Sequence, residues 1–185
     1  MRLFVALTPP AAALDELETA TTAQRSSGPA LRWVGRDRWH VTLAFLGDVD
    51  AEWLEVLRPE LRGAAARHHP MALSFAGAGA FPRTTRGRVL WVGMGGDRDE
   101  LRELASSVAG AARDSGIEQE RRKFSPHLTL ARGRMPSDLS EVVEPLAGFS
   151  GCTWTARDIR LVRSHLGPRP RYETLETYSL GTTPP

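Results

Sequence analysis

His40-Val41-Thr42-Leu43 and His127-Leu128-Thr129-Leu130 repeat one pattern, His-x-Thr-Leu, 87 residues apart in a chain of 185. With five histidines in the chain, two such occurrences are expected by chance on the order of once in a thousand sequences of this composition. The repeat therefore divides the chain into two related halves of about 90 residues. On a β-strand successive side chains alternate faces, so each histidine shares a face with its threonine while the aliphatic neighbours face the other way. Each motif can bury two aliphatic side chains and present an imidazole beside a hydroxyl. If the halves pack about a pseudo-twofold axis, two imidazoles and two hydroxyls converge on one cleft.

The segments around the motifs read as alternating strands and helices. Strands are expected at 2–8, 31–34, 40–46, 71–75, 89–92, 127–131, 154–163 and 172–180. Pro9-Pro10 opens a helix with Leu14, Leu17 and Thr21 on one face, ending near Gly28-Pro29. Leu54, Leu57 and Leu61 mark a second helix, which Pro59 is expected to kink or divide. The third carries Leu101, Leu104, Ala105, Val108 and Ala112, with acidic residues in its first turn and Gly116 at its end. Ser137 is expected to cap a fourth, carrying Leu139, Val142, Val143 and Leu146. About eight strands and four helices, with adjacent strand pairs and no βαβ rhythm, argue for an α+β fold. No linker separates two independent domains, so residues 1–185 read as one unit.

Two histidines on opposite sides of a phosphorus atom suit the opening of a phosphodiester. One deprotonates the attacking oxygen and the other protonates the departing one, which needs one neutral and one charged ring near pH 7. The hydroxyls of Thr42 and Thr129 can donate hydrogen bonds to the non-bridging oxygens. The scheme requires no metal or cofactor, and neither motif contains a carboxylate or an H-x-x-x-H spacing.

Composition narrows the remaining classes. The single cysteine, Cys152, excludes a disulfide framework and a Cys-rich zinc site. No run approaches the roughly 18 apolar residues of a membrane span, and the N-terminal stretch reads as a strand rather than a signal peptide. A cytoplasmic protein is expected. The 24 basic and 22 acidic residues leave a net charge of only +2, yet every basic residue except Lys123 is arginine. The excess is either a coding bias or a preference for binding anions. The near-neutral balance disfavours a protein that coats nucleic acid at large.

At these motifs and their flanks the chain resembles the bacterial and archaeal RNA 2′,3′-cyclic phosphodiesterases, historically called 2′-5′ RNA ligases, of the two-histidine phosphoesterase superfamily. The resemblance extends over RLFVAL at the start, RWV and WHVTLAFLG, GAFP followed by RVLWVG, KFSPHLTLAR, and the closing Ser-x-Leu-x-Pro and Tyr-x-x-Leu at 164–175. It implies a single bilobed domain of two pseudo-symmetric lobes, each an antiparallel sheet with outer helices, enclosing a central cleft. It further implies metal-independent hydrolysis of RNA-terminal 2′,3′-cyclic phosphodiesters to 2′-phosphomonoesters. His40 would then be the proton donor and His127 the proton acceptor, with Thr42 and Thr129 on the phosphoryl oxygens. The partners implied are RNA ends or nucleotides with a 2′,3′-cyclic phosphate, tRNA fragments among them. No obligate protein partner is indicated, and a monomer is expected. Family members often carry a basic residue two positions after the first threonine; here Ala44 stands there, and one phosphate or backbone contact is expected to be missing.

Arg132 is the leading candidate for further phosphate binding, the other reading being a structural ion pair. Simple alternation puts it on the Leu128 and Leu130 face, so reaching the cleft would take a bulge or the end of the strand. The Arg121-Arg122-Lys123 cluster reads as a track for an RNA backbone or as a solvated loop. Trp33, Trp39 and Phe45 read as a base-stacking surface or as core, the commoner place for strand aromatics. His68 and His69 are expected to be exposed, His165 to lack a partner, and Cys152 to be inert. Two rival functions use the same site: reversible 2′-5′ ligation, and a non-catalytic module that binds RNA ends.

Overall fold

The apolar alternation along the chain resolves into nine strands and four α-helices in a computed structural model that describes residues 1–26, 29–118, 123–167 and 170–182. In order these are β1 (Arg2–Leu7), α1 (Ala11–Arg25), β2 (Leu31–Trp33), β3 (Val41–Asp48), α2 (Leu54–Ala66), β4 (Met71–Phe81), β5 (Gly87–Gly96), α3 (Arg98–Asp114), β6 (His127–Ser137), α4 (Ser140–Ala147), β7 (Trp154–Ala156), β8 (Asp158–His165) and β9 (Arg171–Ser179). The helical stripes are buried as their spacing requires: Leu14, Leu17 and Thr21 on α1, and Leu101, Leu104, Ala105, Val108 and Ala112 on α3.

Two helices depart from the sequence reading. Pro59 does not divide α2, which runs unbroken through it. The proline sits on the solvent face, where water can satisfy the carbonyl that its missing N–H leaves free. Ser137 does not cap α4 but closes β6. The N-cap position falls on Leu139, which makes no side-chain cap bond, while the Asp138 carboxylate just before it accepts from the Ser140 backbone N–H at 2.9 Å and from its hydroxyl at 2.6 Å. The expected end of α1 at Gly28 lies outside the described residues, as do Pro168 and the Arg121-Arg122 pair.

Every pairing is antiparallel, in the order β7-β4-β5-β6-β3-β1-β8-β9, with β2 also on β6. The order is mirrored about the β3–β6 junction. On one side lie β3, β1, β8 and β9; on the other lie β6, β5, β4 and β7. The two lobes are therefore not the two sequence halves. β4, from the first half, pairs with β5, and β8, from the second half, pairs with β1. Hydrophobic period shows which segments are strands but not which strands are neighbours. Five residues, 82–86, join β4 to β5 and favour that pairing.

The helices lie outside this curved sheet. α2 packs on α3 and β9, and α3 on β3, whereas α1 and α4 pack on β4. Between them and the sheet sits the main core, including Leu3, Val5 and Leu7 of β1. The opposite face of the same strands carries a separate cluster of Phe4, Ala6 and Val162, which floors the cleft.

Candidate active site

The two motif strands touch at one register pair, Val41 opposite Leu128, and both side chains are fully buried in the core. Continued one residue each way, this antiparallel register sets His40 across from Thr129 and Thr42 across from His127. The four polar side chains share the face opposite the core, and all four are half-buried. The structure thus brings the residues of the repeat together in a twofold arrangement.

Both imidazoles are held in the same way. Nδ1 of His40 lies 2.7 Å from the Arg38 carbonyl, and Nδ1 of His127 lies 2.7 Å from the Ser125 carbonyl. A carbonyl only accepts, so Nδ1 carries the hydrogen in each ring and Nε2 is left for proton exchange. Burial lowers the pKa of His40 below the ordinary histidine value; the Arg38 carbonyl opposes this, while the charges of His127 and Arg132 add to it. Burial likewise lowers that of His127, against the Ser125 carbonyl and assisted by Arg132. Both rings are neutral at rest near pH 7.

Arg132 reaches this face because β6 bulges. Trp91 pairs with Thr129 and Leu90 with Ala131, leaving Leu130 without a partner on β5. Leu130 and Ala131 are both fully buried, so the alternation slips by one and the next residue turns to the cleft. β3 bulges at the corresponding place, with Leu43 unpaired on β1 and both Leu43 and Ala44 buried. Two consequences correct the sequence reading. Ala44 faces the core, so it leaves no gap in the cleft. Phe45, five residues after His40 as Arg132 is five after His127, is 67% exposed rather than core.

Aromatic rings wall each histidine. Phe4 lies 4.7 Å from the His40 ring and Tyr172 5.3 Å from it, edge-on, with Phe45 6.4 Å from Phe4. On the other lobe Phe81 lies 4.9 Å from the His127 ring and Trp91 6.3 Å, with Phe81 and Trp91 themselves 5.3 Å apart. The Trp91 indole lies directly over Gly79, whose missing side chain makes room for it. Of these rings only Phe45 stands out in the sequence as a stacking candidate. The signal for the rest is pairing: Trp91 stands opposite Thr129 on the neighbouring strand.

The other residues singled out in the sequence stand apart from the pair. Trp39 is buried, its indole N–H donating to the Val34 carbonyl at 3.1 Å. Trp33 is partly buried against the core beneath the Arg25 guanidinium. His68 is half-buried and bonded to the Ser107 hydroxyl rather than exposed; His69 is exposed and meets the Thr182 carbonyl. His165 has a partner, Glu173, at 2.6 Å across the β8–β9 hairpin. Cys152 is exposed and its thiol pKa is raised by the Glu16 carboxylate. Among the described residues no group of three or more His, Cys, Asp or Glu side chains could hold a metal ion, and no helix is long and apolar enough to cross a membrane.

Antiparallel lobes joined at their motif strands, each presenting an imidazole beside a hydroxyl, have the architecture of the two-histidine phosphoesterases. A family model described as the 2′-5′ RNA ligase superfamily matches residues 8–168, and the chain belongs to that family. An RNA 2′,3′-cyclic phosphodiesterase of Archaeoglobus fulgidus is 31% identical over 96% of this chain and 99% of its own length. That of Geobacillus stearothermophilus is 34% identical over 84% of this chain, which spans about half (49%) of that relative. A crystal structure of Escherichia coli LigT complexed with 3′-AMP superposes with a TM-score of 0.73 at 30% identity, over 97% of both chains.

Proposed function

We propose that the chain hydrolyses terminal 2′,3′-cyclic phosphodiesters on RNA to 2′-phosphomonoesters without a metal, as a monomer in the cytoplasm. The observation that carries this reading is the twofold pair of imidazoles, each tied at Nδ1 to the carbonyl two residues before it and free at Nε2. Relatives named for this reaction support the substrate, and both motifs come from one chain, so the site needs no second copy.

In the proposed step His127 Nε2 takes a proton from water as the water oxygen attacks phosphorus. The P–O3′ bond breaks opposite the attack, and the Nε2–H of protonated His40 delivers its proton to O3′. The phosphate stays on O2′. Thr42 and Thr129 donate to the non-bridging oxygens, and Arg132 adds a fixed positive charge where negative charge grows. The choice of His40 as donor and His127 as acceptor follows the resemblance to the family, and the twofold site runs the reverse direction with the roles exchanged. The anionic substrate raises the pKa of both rings, which opposes the effect of burial and lets one ring hold a proton in the complex.

An RNA ending in a 2′,3′-cyclic phosphate tests the proposal by product analysis. The wild-type chain is expected to yield a 2′-phosphate, with EDTA without effect. His40→Ala and His127→Ala are each expected to abolish turnover. Full activity in the doubly substituted chain sinks the mechanism. RNA-end binding without product at any pH would make the site a binding module, and a 2′-5′ joined product from a 5′-hydroxyl RNA would show ligation.

A further inference from the structure

Beyond the bulge that delivers Arg132 to the cleft, β6 leaves β5 a second time. Gly87 pairs with Ser137 and Val89 with Arg132, so four residues, 133–136, stand opposite Arg88 alone. The excursion is tied down where the Arg88 guanidinium donates to the Arg134 carbonyl at 3.2 Å. Across from it β2 takes over the edge of β6, with Arg32 directly opposite Arg132 and Trp33 opposite Ala131. Between the two lies an open groove of about 520 Å³ lined by Pro29, Ala30, Leu31, Arg32, Arg132, Arg134, Met135 and Ser137.

The charges of this groove are unusual. Directly opposed side chains of an antiparallel pair share a face, so Arg32 stands on the face that carries Arg132, His127 and Thr129. Like charges in that position destabilise a sheet unless something lies between them. Arg32, Arg132 and Arg134 are all exposed. None of them takes part in an ion pair among the described residues. Among the described residues no carboxylate lines the groove. Guanidinium forks without an internal acid suit an external row of phosphates. Among the described residues the lining offers no aromatic ring and no side-chain amide to read a base.

We propose that this groove is a subsite for the phosphodiester backbone of the RNA strand leading to the reacting end, gripped by Arg32 and Arg134 without regard to base. The proposal rests on the reading of the histidine pair as the site of cyclic-phosphate hydrolysis. Arg132 lines the groove and shares the histidine face, so the strand would run from one into the other. A strand several nucleotides long gains these contacts, and a cyclic mononucleotide does not.

The test compares kcat/KM for adenosine 2′,3′-cyclic phosphate with that for a tetranucleotide ending in the same cyclic phosphate. The wild-type chain is expected to prefer the tetranucleotide. Arg32→Ala and Arg134→Ala are each expected to cut that preference about fivefold, and the double variant more. Each loss should also flatten the dependence of log kcat/KM on log salt for the tetranucleotide by about 0.7. Arg113→Ala, an exposed arginine on α3 that is not among the groove's lining residues, controls for the loss of charge alone. Mononucleotide turnover of the same preparations normalises for folding, and the Arg→Gln pair replaces any variant that fails to fold. No wild-type preference for the tetranucleotide, or an unchanged preference in the double variant, overturns the subsite. If the wild-type chain turns over neither substrate, the catalytic reading fails separately. The groove is then judged by fluorescence anisotropy of the labelled tetranucleotide, where an unchanged Kd in the double variant refutes it and a rise of about tenfold supports it.

Discussion

A single methyl group at position 79 should disturb a histidine that it does not touch. An ideal Cβ on Gly79 would lie 2.4 Å from Cζ2 of Trp91 and 2.6 Å from Cη2, whereas ordinary contact begins near 3.4 Å. In Gly79→Ala the indole must therefore retreat by about 1 Å. It leans on Phe81 and His127, with ring centroids at 5.3 and 6.3 Å, so the displacement is passed to the wall of the imidazole. Overpacking of this kind costs about 1–3 kcal/mol. For a chain of this size a cost near 2 kcal/mol lowers Tm by roughly 4–8 °C. An error of about 1 Å at a reacting group costs up to about 100-fold in rate, so kcat/KM on a cyclic mononucleotide is expected to fall between 10- and 100-fold. Trp91→Phe removes both clashing atoms. Since the indole N–H is buried without a partner, the change leaves no hydrogen bond unmade. The double variant Gly79→Ala/Trp91→Phe should then recover part of both losses, with a coupling of about 1–2 kcal/mol. Thermal melts and steady-state kinetics on the four proteins of this cycle measure it. Strict additivity, or a Gly79→Ala chain with wild-type Tm and kcat/KM, refutes the reasoning.

The pH dependence carries a sign. Both imidazole pKa values lie below the ordinary 6.5 in the free chain, and the reactive form has one ring charged and one neutral. The bell in kcat/KM should therefore centre below pH 6.5 and fall as pH rises through 7. Arg132→Ala, which removes a positive charge acting on both rings, should move the centre to higher pH; a centre that stays or moves down contradicts this placement of Arg132. The threonines are tested by Thr42→Val and Thr129→Val, each expected to lower kcat by about 100- to 1000-fold if its hydroxyl holds a phosphoryl oxygen. A loss confined to KM would mean that the hydroxyl binds the ground state equally well.

The parts legible in the sequence were those with a local period. The stripes of α1 and α3 need only 3.6-residue spacing, and the sharing of a face by His40 and Thr42 needs only alternation over three residues. Arg132 and Phe45 lie beyond a bulge, and a bulge is a property of two strands. Leu130 becomes the extra residue only because Leu90 and Trp91 pair with its neighbours. The same holds for Leu43 against Val5 and Ala6, which is why alternation alone sets Ala44 in the cleft and cannot decide whether Phe45 is exposed or core. The exchange of β4 and β8 between lobes was invisible for a related reason, since partner choice depends on segments far away in the chain. Ser137 is a good cap by type, but β6 runs through it and moves the N-cap of α4 to Leu139.

The exchange of strands also governs how the molecule would respond to being cut. A break in the backbone at 83–86, between β4 and β5, would leave an N-terminal piece whose β1 still pairs with β8 of the other piece and whose β4 still lies between β5 and β7 of that piece. Each fragment would carry part of its counterpart's sheet and present one motif, so neither could bury its own strands alone. The nicked chain should remain one particle, and the two histidines should keep facing one another for as long as the clasp holds.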